Sequence, residues 1–123
     1  MPDDEITTAT IAAVDRFNDA FNRHDVDAVM DAMTDDCVFE STSPPDGERH
    51  VGAAAVRAAW DGFFASSPSA HFDAEAVIAT GDRCVVQWLY TWSDDDGQHH
   101  IRGVDVLRVR DGHVAEKFAY VKG

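Results

Sequence analysis

The sequence predicts an α+β fold in which a curved antiparallel sheet wraps over three helices and leaves an apolar cavity between them. In the first half of the chain, apolar residues recur at three- and four-residue steps, as they do on one face of a helix. In the second half they alternate with polar residues, and Asp-Gly or Gly-Asp turns separate the runs, as in an antiparallel meander. The length of 123 residues fits a single domain, residues 1–123.

Three helical segments are predicted before the meander. A first helix is predicted over residues 6–23, because its large apolar side chains share one face: Ile11, Val14, Phe17 and Phe21. Asp25 is suited to cap a second, shorter helix. The segment 37–41 is short and β-prone, and residues 43–47, Ser-Pro-Pro-Asp-Gly, form a loop signal. A third helix is predicted over residues 51–64.

Four strands are predicted over residues 70–79, 83–92, 99–110 and 113–121. The first should direct one set of side chains to a common face: Phe72, Ala74, Ala76 and Ile78. The second should do the same with Cys84, Val86, Trp88, Tyr90 and Trp92. In the last strand the alternation is ambiguous, because Glu116 shares a face with Phe118 and Tyr120.

The charge balance is strongly acidic. The chain has 18 Asp and 5 Glu against 8 Arg and 2 Lys, which gives a net charge of −13. A field of this sign repels phosphate backbones and anionic lipid surfaces, so neither nucleic acid nor a membrane is an expected partner. The excess of Asp over Glu suits a salty cytoplasm, and GC-rich codon usage explains it equally well.

Other sequence features are consistent with a cytoplasmic protein. The N-terminal segment, MPDDEITTAT, lacks the apolar stretch of a signal peptide, and no apolar run is long enough to span a membrane. Cys37 and Cys84 are expected to be free and buried, with a disulfide as the alternative. No metal site is expected, because the histidines show no ligand spacing.

One acidic residue does not fit the pattern of its strand. In the strand 99–110, the even positions Arg102, Arg108 and Arg110 mark the outer face, so Asp105 must point inward with Leu107. An inward carboxyl group is costly unless it is paired or protonated, and desolvation raises its pKa. Asp105 is therefore the first candidate for a general acid or base. A buried Asp that only accepts structural hydrogen bonds is the alternative.

Three segments of the chain resemble the nuclear-transport-factor-2-like superfamily, and within it the SnoaL-like polyketide cyclases and ketosteroid isomerases. They are FNRHDVDAVM at residues 21–30, MTDDCVFE at residues 33–40 and GVDVLRVRDGHVAE at residues 103–116. The resemblance implies a cone-shaped, cystatin-like α+β barrel with a deep apolar pocket and no cofactor. It also implies a homodimer through the outer face of the sheet, where Val104 and Val106 lie between arginines.

The resemblance also assigns residues. Asp105 falls where the isomerases carry a protonated oxyanion-hole Asp and the cyclases an acid/base Asp. The isomerase Tyr and general-base Asp align with Phe17 and Ser41, which cannot perform those roles. The resemblance therefore favours an enzyme that acts through Asp105 on a small apolar carbonyl compound. The alternative is a non-catalytic ligand-binding or dimerisation module of the same fold.

Further residues are candidates for the same pocket. Four residues are candidates for a second polar group: Ser41, Glu40, His99 and Tyr120. A bulge could turn Glu40 inward as a carboxylate partner of Asp105, and His99 has the same parity in its strand as Asp105. The aromatic residues predicted to line the pocket are Phe17, Phe21, Phe39, Trp60, Phe64, Trp88, Tyr90 and Phe118. Simple core packing is the alternative role for these residues.

Overall fold

The computed structural model describes residues 2–122 and confirms the predicted α+β class. Its elements, in chain order, are α1 (Pro2–Asn22), α2 (Val26–Asp31), β1 (Met33–Glu40), β2 (Arg49–Val51), α3 (Ala53–Ser66), β3 (His71–Thr80), β4 (Arg83–Asp94), β5 (Gly97–Arg110) and β6 (His113–Val121). The predicted order of helices and strands is therefore correct. The short strand β2 was not predicted, because three residues are too few to show an alternating pattern.

The strands form one curved sheet in the order β2-β1-β6-β5-β4-β3. The last four strands pair as the predicted antiparallel meander. β1 extends the sheet by pairing parallel to β6, and β2 pairs antiparallel to β1 at the edge. The first short strand thus belongs to the same sheet as the meander, and the helices cover the concave face.

Helix α1 is attached to strand β3 and to the turn that follows this strand. Near its end, the Asn22 side chain donates a hydrogen bond to the Phe72 carbonyl at 2.8 Å and accepts one from the Phe72 amide at 2.9 Å. Further toward its start, the Thr10 hydroxyl donates to the Gly81 carbonyl at 2.7 Å. These bonds hold the helix across the sheet. The next helix, α2, begins where the Asp25 side chain accepts from the Ala28 amide, as predicted.

The core lies between the helices and the concave face of the sheet. Its largest fully buried side chains include Phe17 from α1, Trp60 from α3 and Leu107 from β5. Burial of each such side chain contributes about 1.5–3 kcal/mol to folding. Cys37 and Cys84 are buried and free, as predicted. Within residues 2–122, no helix is long and apolar enough to cross a membrane.

Irregularities in strand pairing decide which side chains of β3 and β6 face the core. A register shift between Ala74 and Ala76 moves the second half of β3 by one residue, so Ile78 is exposed and Ala79 packs against the core. The prediction that Ala76 and Ile78 share a face with Phe72 is therefore wrong. A second shift between Arg108 and Val109 changes the pairing of β5 with β6, and it decides which β6 side chains enter the site.

Candidate functional site

A cavity of about 540 Å³ opens between the concave face of the sheet and helix α3. Exposed residues of the loop after β1, Thr42 and Ser43 among them, mark its mouth. Buried residues from α3, β4, β5 and β6 form its deepest part: Trp60, Trp88, Asp105 and Lys117. The cavity therefore connects solvent with the interior of the sheet.

Asp105 lies at the buried end of this cavity with only 5% of its surface exposed. Its position follows from strand alternation, as predicted, because it pairs with Val86 on β4 and with Ala119 on β6. Two residues earlier, Gly103 pairs with Trp88, and a Cβ at this glycine would lie 2.6 Å from the indole ring. The missing side chain thus makes room for Trp88 beside Asp105.

Lys117 is the partner of Asp105 and was not predicted from the sequence. Its Nζ lies 3.5 Å from Oδ2 of Asp105, and both side chains are 7% exposed. The ammonium group lies 4.6–6.0 Å from the centroids of five aromatic rings. These rings belong to Phe17, Phe21, Phe39, Trp60 and Phe72. The site is therefore an acid–base pair surrounded by aromatic side chains.

The environment of Asp105 acts on its pKa in opposite directions. Burial raises the pKa, and this is the largest effect. The positive charge of Lys117 lowers it. The Trp88 indole N–H also lowers it, although its geometry falls outside that of a hydrogen bond. The net result is a raised pKa, which suits a carboxyl group that accepts and returns a proton.

Two donors at the buried end of the cavity have no hydrogen-bond partner among the described residues. They are the Nε1 atoms of Trp60 and Trp88, both fully buried. A buried N–H without a partner costs about 1–3 kcal/mol. Because both residues line the cavity, a ligand with an acceptor oxygen would satisfy a donor there.

A second, smaller cavity of about 120 Å³ reaches the same pair from the side of helix α1. It is lined by Asp15, Asn18 and Asp19 as well as by Asp105 and Lys117. The ion pair therefore lies between the large aromatic cavity and a smaller one that has polar side chains of α1 in its wall.

Five of the eight aromatic residues predicted to line the pocket form part of the cavity wall. Those that line the cavity are Phe21, Phe39, Trp60, Trp88 and Tyr90. Phe17 lies deeper, fully buried in the core against Trp60, and does not reach the cavity. Phe64 turns away on α3 and stacks on His24. Phe118 lies on the opposite face of the sheet, near Arg49.

The register shift in the last hairpin explains the errors on β6. It pairs Asp105 with Ala119, so Lys117 and Ala119 share the inner face, while Phe118 and Tyr120 point outward. Tyr120 is 54% exposed and offers no hydroxyl to the cavity, so that prediction is wrong. Two consecutive buried residues, Val114 and Ala115, mark the irregularity. In the sequence, the two adjacent apolar residues at 114 and 115 were the available signal of a bulge, because regular alternation does not place neighbours on the same face.

The other predicted polar groups lie outside the buried end. Glu40 points away and pairs with Arg49 at 2.6 Å, so the proposed carboxylate pair with Asp105 does not form. His99 does not line the cavity; it binds Asp94 at 2.8 Å in the hairpin between β4 and β5. Ser41 does line the cavity, near its mouth, and its hydroxyl accepts a hydrogen bond from the Glu48 amide.

The described part of the chain contains no group of three or more His, Cys, Asp or Glu side chains that could hold a metal ion. The chemistry that the site can perform with its own residues is proton transfer at Asp105 and charge stabilisation at Lys117. The aromatic walls favour a flat, apolar ligand.

Comparisons with known proteins agree with this architecture. The family model described as a SnoaL-like domain matches residues 14–117. A crystal structure of an NTF2-like protein of unknown function from Mesorhizobium loti is 39% identical, and the alignment covers 95% of this chain and 93% of that one, with a TM-score of 0.81. No curated protein is significantly similar to this chain.

More distant structures share the fold. A candidate SnoaL-like polyketide cyclase from a Jannaschia species is 22% identical over 95% of this chain and 88% of its own, with a TM-score of 0.80. A candidate ketosteroid isomerase from Kribbella flavida is 21% identical over 95% of this chain and 80% of its own, with a TM-score of 0.79. At these identities the likeness shows the fold alone.

Proposed function

Because the chain belongs to the SnoaL-like domain family, we propose that it is an enzyme in which Asp105 transfers a proton to or from an apolar carbonyl compound. One observation carries this proposal: a buried carboxyl group with a raised pKa lies at the end of an open, aromatic cavity. The cavity volume of about 540 Å³ falls in the range of small-molecule sites, about 300–1,000 Å³.

The reaction follows from what the site contains. A carbonyl compound with an acidic C–H bond would place that bond at Asp105, which takes the proton and returns it at the same or another carbon. The isomerase mechanism with a Tyr donor and a second Asp is not proposed, because the resemblance aligns those two roles with Phe17 and Ser41. Asp105 is therefore proposed to be the single acid/base group, with solvent access through the second cavity.

The test is exchange of α-protons in deuterated water. A panel of apolar ketones is incubated with the protein, and the loss of the α-proton signal is followed by NMR. The wild type should accelerate exchange of at least one ketone, and Asp105→Asn should lower the rate by about 10²–10⁴-fold, the usual contribution of a general base. Asp61→Asn, an exposed substitution of the same type on α3, should keep the wild-type rate.

A second candidate is a non-catalytic ligand-binding module. The observation in its favour is the ion pair itself, because Lys117 neutralises the carboxylate that would act as the base. In that case the panel would bind and quench the fluorescence of Trp60 and Trp88, yet no ketone would exchange. Binding without exchange would therefore replace the enzymatic proposal with this one.

A homodimer through the outer face of the sheet is part of the proposal. An apolar row crosses four strands there: Ile78, Val85, Val106 and Phe118 pair in sequence from β3 to β6. Apolar rows on a solvent-facing sheet favour a self-complementary contact. Sedimentation should give the mass of a dimer, and Tyr120→Lys beside this row should give a monomer. Val51→Lys on the edge strand β2 is the matched control and should leave the mass unchanged.

A further inference from the structure

We propose that the Lys117 ammonium binds the oxygen on which negative charge develops, so that the cavity selects compounds whose oxygen can become anionic, such as enolisable ketones. This inference rests on the proposed function, since it names the group that completes the work of Asp105. It also specifies the ligand: a flat apolar compound with one oxygen that ionises next to the acidic C–H bond.

Five aromatic rings and one carboxylate surround the Lys117 Nζ. Five ring centroids lie within 6.0 Å of its Nζ, a distance at which aromatic faces attract a positive charge. The side chain is almost fully buried, and Asp105 is its ion-pair partner. A positive charge at Nζ is therefore attracted both by the ring faces and by the carboxylate, and the side chain is shielded from bulk solvent.

Lys117 has donor capacity to spare. An ammonium group can donate three hydrogen bonds and accepts no hydrogen bond. Asp105 lies at 3.5 Å, a long distance for a charge-assisted hydrogen bond, and aromatic rings occupy much of the remaining space. Lys117 also lines the cavity, and so does Trp60 with its unpartnered Nε1. A ligand oxygen at this point would accept hydrogen bonds from N–H groups that have no other acceptor in the protein.

Lys117 and Asp105 are close enough, at 3.5 Å, to act on two neighbouring parts of one ligand. In an enolisable ketone, two bonds separate the α-carbon from the carbonyl oxygen, so two adjacent groups can act on both atoms at once. The C–H electron pair forms the new C=C bond, the carbonyl π pair moves to the oxygen, and the proton passes to Asp105. Lys117 keeps its three protons throughout. Return of the proton from Asp105 to carbon completes the cycle without any other reactant.

The electrostatics favour this assignment. Before the transfer, the site holds one positive and one negative charge, Lys117 and Asp105. After the transfer, Asp105 is neutral and the enolate oxygen has become the negative partner of Lys117. Charge is therefore moved between neighbouring positions and no new charge is created in a buried site, which is what preorganised stabilisation of an oxyanion requires.

The test uses 4-nitrophenol, a flat compound whose phenolate form has its own visible absorption band. At a pH where the free compound is mostly neutral, the wild type should bind it and display the phenolate band, because the proton passes to Asp105 and the oxygen pairs with Lys117. Lys117→Met should bind it without the phenolate band. Lys122→Met removes the other lysine of the chain, which is exposed, and should behave as the wild type.

A second variant tests the proposal even if Lys117→Met does not fold. In Asp105→Asn the ammonium loses its competing carboxylate, so at a pH where 4-nitrophenol is ionised this variant should bind it at least about tenfold more tightly than the wild type, about 1.4 kcal/mol. Other charged groups near the pair are Asp15 and Asp19 at the second cavity and Glu48 and His50 at the mouth. They are identical in all the variants.

Several outcomes would overturn the proposal: no binding to the wild type, a phenolate band that persists in Lys117→Met, or weaker anion binding by Asp105→Asn. These outcomes are separate from failure of the proposed function. If no ketone exchanges but 4-nitrophenolate depends on Lys117, the anion site stands and the catalytic role of Asp105 falls. If ketones exchange equally well in Lys117→Met, the reverse holds.

Discussion

Glu116 and Lys117 are neighbours in sequence and form ion pairs on opposite faces of the same two strands. On the outer face, Glu116 binds Arg108 at 3.1 Å, with side chains 22% and 32% exposed. On the inner face, Lys117 lies 3.5 Å from Asp105, with both side chains 7% exposed. Each pair joins a basic and an acidic side chain across β5 and β6. The two pairs differ in how far water can reach them.

Water changes what each pair contributes. An exposed pair gains little from its attraction, because solvent screens it, and such pairs contribute about 0–1 kcal/mol. A buried pair loses several kcal/mol of hydration for each ion, and its attraction rarely returns more than that. The outer pair is half-buried and still in contact with solvent, so its contribution is expected to lie near this low range. The inner pair is a poor choice for stability, and its place at the end of a cavity points to function.

The largest expected effect comes from removing the cation of the inner pair. Lys117→Met leaves Asp105 buried without a partner, so the free energy of unfolding at neutral pH should fall by about 3–5 kcal/mol. The loss should shrink at acidic pH, where Asp105 is protonated. Urea unfolding at two pH values measures both effects. A loss that does not vary with pH would show that the packing of Lys117 matters more than its charge.

A smaller effect is expected from filling the space beside the inner pair. A Cβ at Gly103 would meet the Trp88 ring and the Tyr120 carbonyl, so Gly103→Val should destabilise the protein by about 1–3 kcal/mol and displace Trp88 toward Asp105. Thermal unfolding and indole fluorescence report the two changes. Val104→Ile adds one methylene on the outer face of the same strand. An equal loss in this control would remove the distinction between the faces.

Next in size is the pH dependence of the inner carboxyl. The pKa of Asp105 is raised above 3.8, so the folded state holds this proton more tightly than the unfolded state does. Between pH 3.8 and the raised pKa of the folded state, the free energy of unfolding of the wild type should therefore fall, relative to Asp105→Asn, as the pH rises. The slope should reach up to about 1.4 kcal/mol per pH unit.

Acids outside the cavity provide the contrast to this slope. Arg110 lowers the pKa of exposed Asp36 to about 2, so this group stabilises the protein above 3.8 and loses that effect toward lower pH. Its contribution is the same in both proteins and cancels in their difference. Parallel stability curves for the wild type and Asp105→Asn would contradict a raised pKa at Asp105.

The smallest effect is expected on the outer face. Arg108→Gln should lower the free energy of unfolding by less than about 1 kcal/mol, and added salt should reduce the difference further. Chemical unfolding at low and high salt measures it. A loss as large as that of Lys117→Met would mean that burial does not separate the two pairs.

Of the two residues of the inner pair, the sequence pattern predicted the inward position of Asp105 but not that of Lys117. Asp105 could be placed inward because three arginines identify the opposite face of its strand. Lys117 could not, because the register shift between Arg108 and Val109 lies in the pairing of two strands and not in the alternation of one. The same shift explains why Phe118 and Tyr120 were placed in the cavity. Ile78 was misplaced by the corresponding irregularity in β3.

Local patterns were sufficient for the α+β class, the order of helices and strands, the Asp25 cap and the inward carboxyl group, because each depends on residues close together in the chain. The parallel pairing of β1 with β6, the aromatic surroundings of Lys117 and the two cavities required the three-dimensional structure. They arise where distant segments meet, and a shift of one residue in strand pairing exchanges the inner and outer faces.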